Sequence, residues 1–270
     1  MKEEKDSKRA WMGVLADYYD DVDGKEKKLI DNAVMEKWRE LHYYGRIKIV
    51  KEMLDIRERN VFLDCGCGTG RFLTEFERAC LTIGVDISNK YCHISRRKAP
   101  NSLIIQGDIE YLPLKDESVD VCVMVYTFVY VPNKVKALKE IHRVLKRDGK
   151  LVIFDPNRLG LRNFLRNLQL IKRKMSGDEF SPSDINRLLV TSQSLNIFEF
   201  KKIASEVGLK CDSWCGNFDT IPFPMFEKGF LGKVTVFLFW LWEKLGCRKW
   251  GRLPFIRCFS DFLIIRFVKY

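Results

Sequence analysis

The sequence is poor in what most metal and disulfide chemistry needs. It holds three histidines in 270 residues. Its nine cysteines are odd in number and scattered without paired spacing, which argues against a secreted disulfide framework and for reduced thiols of a cytosolic protein. Cys211 and Cys215 are separated by three residues and have no second ligand pair, so no metal site is expected. Met1 to Ala10 is charged and has none of the apolar core of a signal peptide. The longest largely apolar run, Val234 to Trp242, is far short of the roughly 20 residues that span a bilayer. Acids are also in deficit, and the formal net charge is +11. With 46% hydrophobic residues, the composition fits one globular domain, or one domain with elaborations.

What is present centres on residues 61–72. The apolar run Val61-Phe62-Leu63 ends on Asp64, and Gly66, Gly68 and Gly70 come next, before a helix-like run from Arg71 to Ala79. This reads as a buried strand, a tight glycine loop and a helix N-terminus. Such a loop brings backbone amides close to a ligand. A dinucleotide fingerprint would need its third glycine where Arg71 stands, and the Gly-Lys-Ser/Thr of a P-loop is absent.

The spacing of the later strands makes the loop specific. Leu81 to Ile87 is a second apolar strand carrying Asp86, 22 residues after Asp64. An acid so placed can accept both hydroxyls of a ribose, whichever adenosine cofactor is bound. Ser88 to Ala99 reads as a helix stopped at Pro100. Leu103 to Ile109 is a third strand carrying Asp108, again 22 residues on. Val119 to Val125 is a fourth strand, Val135 to Lys146 an amphipathic helix, and Leu151 to Ile153 a fifth strand. Strand–helix repeats with acids at successive strand ends predict a doubly wound parallel sheet whose ligand lies at the strands' carboxyl ends.

Val61–Gly70 resembles motif I of the class I S-adenosylmethionine (SAM) dependent methyltransferases. Asp108 to Val125 and Leu138 to Ile153 resemble two further elements of that family, with Leu114, Val119 and Asp148 departing from the usual pattern. The resemblance covers roughly 19–157 and is strongest to the methyltransferases grouped with ubiquinone and menaquinone biosynthesis. It implies a Rossmann-like seven-stranded α/β sheet whose last two strands form an antiparallel hairpin, N-terminal helices capping the pocket, and SAM as cofactor. It places Asp64 near the amino-acid end of SAM, the glycine backbone along its methionine and ribose portions, Asp86 on the ribose, and Asp108 and Ile109 at the adenine. Tyr19-Asp20 is similar to a Tyr-Asp pair whose tyrosine often reaches SAM; packing of Tyr19 on the core is an equal alternative. The cofactor-binding set is Tyr19, Asp64, Gly66, Cys67, Gly68, Gly70, Asp86, Ile87, Asp108, Ile109 and Tyr126. Tyr19, His42, Tyr126 and Tyr130 are candidates for the pocket mouth, and none has a spacing partner that would make it a base. His142 lies on a helix remote from the cofactor in the family and is read as structural.

Two segments lie outside the resemblance. From Arg158 to Lys174 there are six basic residues and no acid, with Leu161, Phe164, Leu165, Leu168 and Ile171 at helical spacing. Such a helix lies on a membrane surface or partner, or else packs on the sheet edge with a solvated face. Between strand six (210–218) and strand seven (261–270), residues 219–258 are too long for a hairpin turn. Phe223 to Arg257 mixes Phe and Trp with Lys and Arg, the composition of interfacial anchoring.

The expected organisation is a helical cap (1–57), a SAM-binding core (58–218), a basic aromatic insertion (219–258) and the last strand (259–270). The expected activity is methyl transfer to a hydrophobic or lipid-linked acceptor by a cytoplasmic enzyme that meets the membrane peripherally through 158–174 and 223–257. Nucleic acid is disfavoured as a partner, because strand four ends Val-Tyr-Thr-Phe instead of Asn/Asp-Pro-Pro-Tyr and no Pro-Cys or Thr-Cys pair supplies a thiol nucleophile. The alternatives are a soluble small-molecule acceptor, an NAD-dependent oxidoreductase and a non-catalytic binding module.

Overall fold

The computed structural model describes residues 47–177, 188, 190–217 and 256–270. Most of the expected cap, including Tyr19 and His42, and most of the 219–258 insertion lie outside the described residues. Helix α1 (47–54) leads to β1 (Val61–Cys65), α2 (Arg71–Phe76), β2 (Leu81–Asp86), α3 (Asn89–Lys98), β3 (Leu103–Gln106) and β4 (Val119–Val125). Next come α4 (Lys134–Val144), β5 (Leu145–Pro156), α5 (Leu161–Met175), α6 (Ile197–Ser205), β6 (Leu209–Asn217) and β7 (Phe262–Lys269). The seven strands form one sheet in the order β3-β2-β1-β4-β5-β7-β6. β7 alone is inverted, antiparallel to both β5 and β6. This is the Rossmann-like α/β sheet expected from the sequence.

The strands are apolar on both faces because both faces are covered. Alternation along β1 sends Phe62 to one side and Leu63 to the other. On the first side Phe62 packs with Ile47, Val50 and Leu54 of α1, Phe72, Leu73 and Phe76 of α2, and Cys92 of α3. On the second, Leu63 packs with Ala137, Leu138, Ile141 and Val144 of α4 and with Ile197, Phe200 and Ala204 of α6.

Local chemistry fixes the boundaries. Ser88 caps α3 by accepting from the amide of Tyr91, Asn133 caps α4 through Lys136, and Asn196 with Glu199 forms a capping box on α6. β3 stops at Gln106, short of the expected Ile109, because the Asp108 carboxylate accepts the Glu110 amide and turns the chain into a single 3-10 turn, Ile109–Tyr111. β5 starts at Leu145, six residues before the expected Leu151. The tight turn within its first residues takes Asp148 to φ 60°, a left-handed position that aspartate tolerates better than most residues. Arg143 secures the β3–β4 connection by donating to the carbonyls of Leu112 (2.9 Å) and Leu114 (2.8 Å) while paired with Asp116 and Glu140. His142, on the same helix, stands against Gly208, far from the carboxyl edge.

Candidate functional site

The parallel strands end together, and their carboxyl edge gathers the acids singled out in the sequence. Asp64 is the penultimate residue of β1 and pairs with Gly84 of β2; Asp86 closes β2 and pairs with Gln106 of β3. Between the first two acids runs the glycine loop. The amides of Gly66 (2.7 Å) and Cys67 (3.2 Å) donate to the Val85 carbonyl, and that of Gly70 donates to the Cys67 carbonyl (2.9 Å). Asp86 fixes the middle of the loop: one carboxylate oxygen accepts the Gly68 amide and the other the Ser88 amide, each at 2.8 Å.

The three glycines do different work. A Cβ on Gly66 would lie 2.2 Å from the Thr127 methyl at the end of β4, so this glycine permits a strand-to-strand approach. A Cβ on Gly70 would meet the Ser95 hydroxyl at 2.5 Å, so this one permits α2 to sit against α3. Gly68, at φ 51°, has open space where its side chain would be. Its backbone is the part of the loop that a ligand can approach. Cys67 turns inward and packs against Gly84, and burial pushes its thiol far above the ordinary range; only its backbone is available to the site.

The electrostatics favour a cationic ligand. Asp64 is 3% exposed, and burial, reinforced by the Asp86 charge, pushes its carboxyl from the usual 3.8 up to about 8. Burial raises Asp86 as well, against the pull of the Ser88, Gly68 and Ile87 amides. Two desolvated acids beside an open backbone loop fit a group that carries positive charge. Ile87 stands 42% exposed at the edge of the same site, where a flat apolar ring could rest. Asp108 and Ile109 begin the 3-10 turn at the next strand end. Tyr126 leaves β4 with φ 54°, and its ring is held edge-on by Phe154 (5.0 Å) and Phe262 (5.2 Å). The structure thus brings Asp64, Gly66, Cys67, Gly68, Gly70, Asp86, Ile87, Asp108, Ile109 and Tyr126 to one edge.

Residues 63–153 match the model of a methyltransferase domain. This is a class I, SAM-dependent methyltransferase domain. SAM is the cofactor of such a domain, and the carboxyl edge is chemically compatible with it: the edge offers buried acids and an open backbone to a molecule that carries positive charge and ribose hydroxyls. Arg71 in the third-glycine position accords with that and not with a dinucleotide.

Among curated proteins, the methyltransferase domain is similar to the sterol 4-C-methyltransferase strm-1 of Caenorhabditis elegans, 32% identical over 113 residues, covering 39% of this chain and 34% of the relative. A ubiquinone/menaquinone biosynthesis C-methyltransferase of Campylobacter jejuni is 28% identical over 165 residues, covering 53% of this chain and 69% of the relative. The match spans 34%, 58% and 55% of the first three curated relatives. Among solved structures, a SAM-dependent methyltransferase of Thermotoga maritima superposes with TM-score 0.55 at 22% identity, covering 87% of this chain and 94% of that one. The [4+2]-cyclase SpnF superposes equally well, TM-score 0.55 at 16% identity, over 83% of this chain and 80% of its own. At such identities the likeness is one of fold, and SpnF illustrates that the fold alone does not fix the reaction.

Two residues of the edge escaped sequence reasoning. Thr127 stands on Gly66, a contact that no local pattern announces. Asp155 is a strand-end acid like the others, but it falls on the fifth strand and outside the equal spacing that marked the first three. Its position at the carboxyl end of a strand was the available signal for it.

Proposed function

We propose that this protein transfers the methyl group of SAM to a hydrophobic or lipid-linked acceptor at a membrane surface. The observation that carries the methyl-transfer part is the open backbone at Gly68 between two buried acids, inside a matched methyltransferase domain. SAM, when bound, supplies an electrophilic methyl group on its sulfonium. The protein's part is to hold and orient: Asp86 for the ribose hydroxyls, Asp64 for the amino-acid end, Asp108, Ile109 and Ile87 for the adenine, and the Gly66–Gly70 backbone along the remainder. Orientation of this kind is worth about 7–11 kcal/mol of barrier when the acceptor is held in line.

Two lines support the acceptor class. Relatives of the domain are named for sterol and quinone methylation. On α5, Phe164 (59% exposed), Leu168 (48%), Ile171 (55%) and Met175 (83%) form a solvent-facing apolar stripe, while Asn163 and Leu170 face inward. At 100° per residue the four fall within about 60° of arc. The segment 158–174 carries six basic residues and no acid. An exposed apolar stripe on a basic helix suits the headgroup layer of an anionic bilayer. Among the described residues no helix is long and apolar enough to cross a membrane, so contact of this kind would be peripheral.

The test is methyl-labelled SAM with a total membrane extract, followed by organic extraction. Label in the organic phase supports a lipid or quinone-like acceptor; label confined to the aqueous phase overturns that part and leaves a soluble acceptor. Sedimentation with phosphatidylglycerol vesicles tests the surface contact. Binding should fall when Phe164 and Leu168 are both replaced by Ser, and binding that persists in that variant would refute α5 as the contact.

A further inference from the structure

Asn157 directly follows β5 and is fully buried. Its carboxamide is engaged on both sides. Nδ2 donates to the carbonyls of Cys258 and Ser260, each at 2.8 Å, and Oδ1 accepts the Leu159 amide at 3.2 Å. The backbone amide of Asn157 donates to the Asp261 carbonyl (2.9 Å), and its carbonyl accepts the Gly160 amide (3.0 Å) and the Asn163 carboxamide (2.7 Å). One residue therefore joins three pieces of chain: the end of β5, the first turn of α5 and the entry to β7. A carboxamide suits the task because it offers two donor hydrogens and an acceptor on one short side chain.

This joint sits beside the SAM edge. Asp261 precedes Phe262, whose ring lies 5.2 Å from that of Tyr126 at the β4 exit. Gly160 permits the packing, since a Cβ there would lie 2.9 Å from the Ser260 carbonyl oxygen. Next to it, Leu159 is 41% exposed, and Phe164, 59% exposed, stands one turn into α5 with its amide on the Gly160 carbonyl (3.1 Å). Exposed apolar surface thus begins at the carboxyl end of β5 and runs on along α5. Arg158 is already paired, with Glu199 at 2.6 Å and the Ser194 carbonyl at 2.9 Å, which ties the joint to α6 as well. The helix itself, 161–175, carries five basic residues and no acid. A second copy of this chain would bring the same charge to the contact and be repelled, whereas an anionic bilayer complements it.

We propose that the bilayer contact starts at the SAM edge itself: Leu159 extends the α5 stripe to the carboxyl end of β5, and Asn157 holds the two in one fixed geometry. The proposal rests on the reading of α5 as a bilayer contact. An interfacial helix buries its apolar face about 5–10 Å deep. The acceptor class therefore narrows to an amphiphile whose reactive group lies at that depth, where it is met without leaving the bilayer.

The experiment is sedimentation and amide hydrogen exchange with phosphatidylglycerol vesicles, comparing wild type with Leu159→Ser, Leu103→Ser and Asn157→Ala. Leu103 is the control, a more exposed leucine (56%) at the start of β3, the opposite end of the strands. Leu159→Ser should weaken vesicle binding about three- to tenfold, the scale of withdrawing part of one leucine from an apolar layer. Leu103→Ser should stay within about twofold of wild type. On vesicles, exchange should slow at the Leu159 and Gly160 amides and stay unchanged at Leu103. Asn157→Ala should abolish that slowing while α5 stays protected; if it does not fold, Asn163→Ala, which removes one of the ties, carries the same expectation. Full vesicle binding by Leu159→Ser, or an equal loss in Leu103→Ser, would overturn the proposal, and slowing that survives Asn157→Ala would overturn the role given to Asn157. Loss of binding in the Phe164/Leu168 double variant would in either case leave the α5 contact standing. Wild-type protein that fails to bind the vesicles would instead overturn the bilayer reading, and the proposal with it.

Discussion

Asp64 and Asp86 stand at the ends of neighbouring strands, and their burial sets how the site responds to pH. Asp64 titrates near 8 when folded and near 3.8 otherwise. Between those values the folded state holds the proton and the unfolded state does not, so raising the pH lowers stability until it levels off above about 8. Asp86 and Asp155 are also raised and contribute with the same sign. The melting temperature should therefore fall as pH rises from about 5 to about 8, and Asp64→Asn should flatten that slope. A cationic ligand prefers the ionised acid, so SAM affinity should increase with pH toward about 8 and binding should release a proton. Calorimetry in buffers of different ionisation heat reads that release; a buffer-independent heat would count against Asp64 as the partner of the cation. Asp86 carries a second expectation. Asp86→Ala removes the proposed ribose acceptor and also orphans the amides of Gly68 and Ser88, so SAM affinity should drop roughly 10- to 100-fold by titration. Asp86→Asn, which keeps an acceptor oxygen, should lose less.

At the level of elements, the glycine loop separates folding from binding. Gly66→Ala meets the Thr127 methyl and also has to hold φ 78°, so it should cost more than the roughly 1–2 kcal/mol of a left-handed alanine alone and lower the melting temperature clearly. Gly68→Ala meets nothing and should cost only that left-handed term, yet its methyl fills the space beside the exposed backbone and should weaken SAM binding. Equal loss of stability in the two variants would refute this division. The same loop shows what a sequence can and cannot reveal. The strand-end acids and the glycines are local, so the run of elements from β1 to α4 and the edge that holds Asp64, Asp86 and Asp108 were legible from spacing. The Thr127–Gly66 contact joins residues 61 apart, and Tyr126 beside it takes φ 54°; neither has a local signature. β7 threads between β5 and β6, pairing Lys150 with Val268, because the inverted strand completes the hydrogen bonding of β5. The family resemblance implied a terminal hairpin; periodicity alone would not have placed its inner strand.

At the scale of the whole molecule, the charge of +11 and the open donor site act on different partners. The charge acts at long range on anionic surfaces and is screened by salt. The donor site discriminates by fit, and a ligand that binds the folded state alone stabilises the entire chain by mass action. At a SAM concentration about a hundredfold above its dissociation constant the gain is about 2.7 kcal/mol. For a chain of this size that raises the melting temperature by roughly 5 °C or more. NAD at the same concentration should leave it unchanged, because Arg71 occupies the position where a pyrophosphate-binding loop needs its third glycine. A thermal scan with each ligand decides between them. A shift with NAD and none with SAM would reassign the Gly66–Gly70 loop to a dinucleotide, whereas a shift with SAM that survives high salt would separate cofactor binding from the basic segment proposed to meet a membrane.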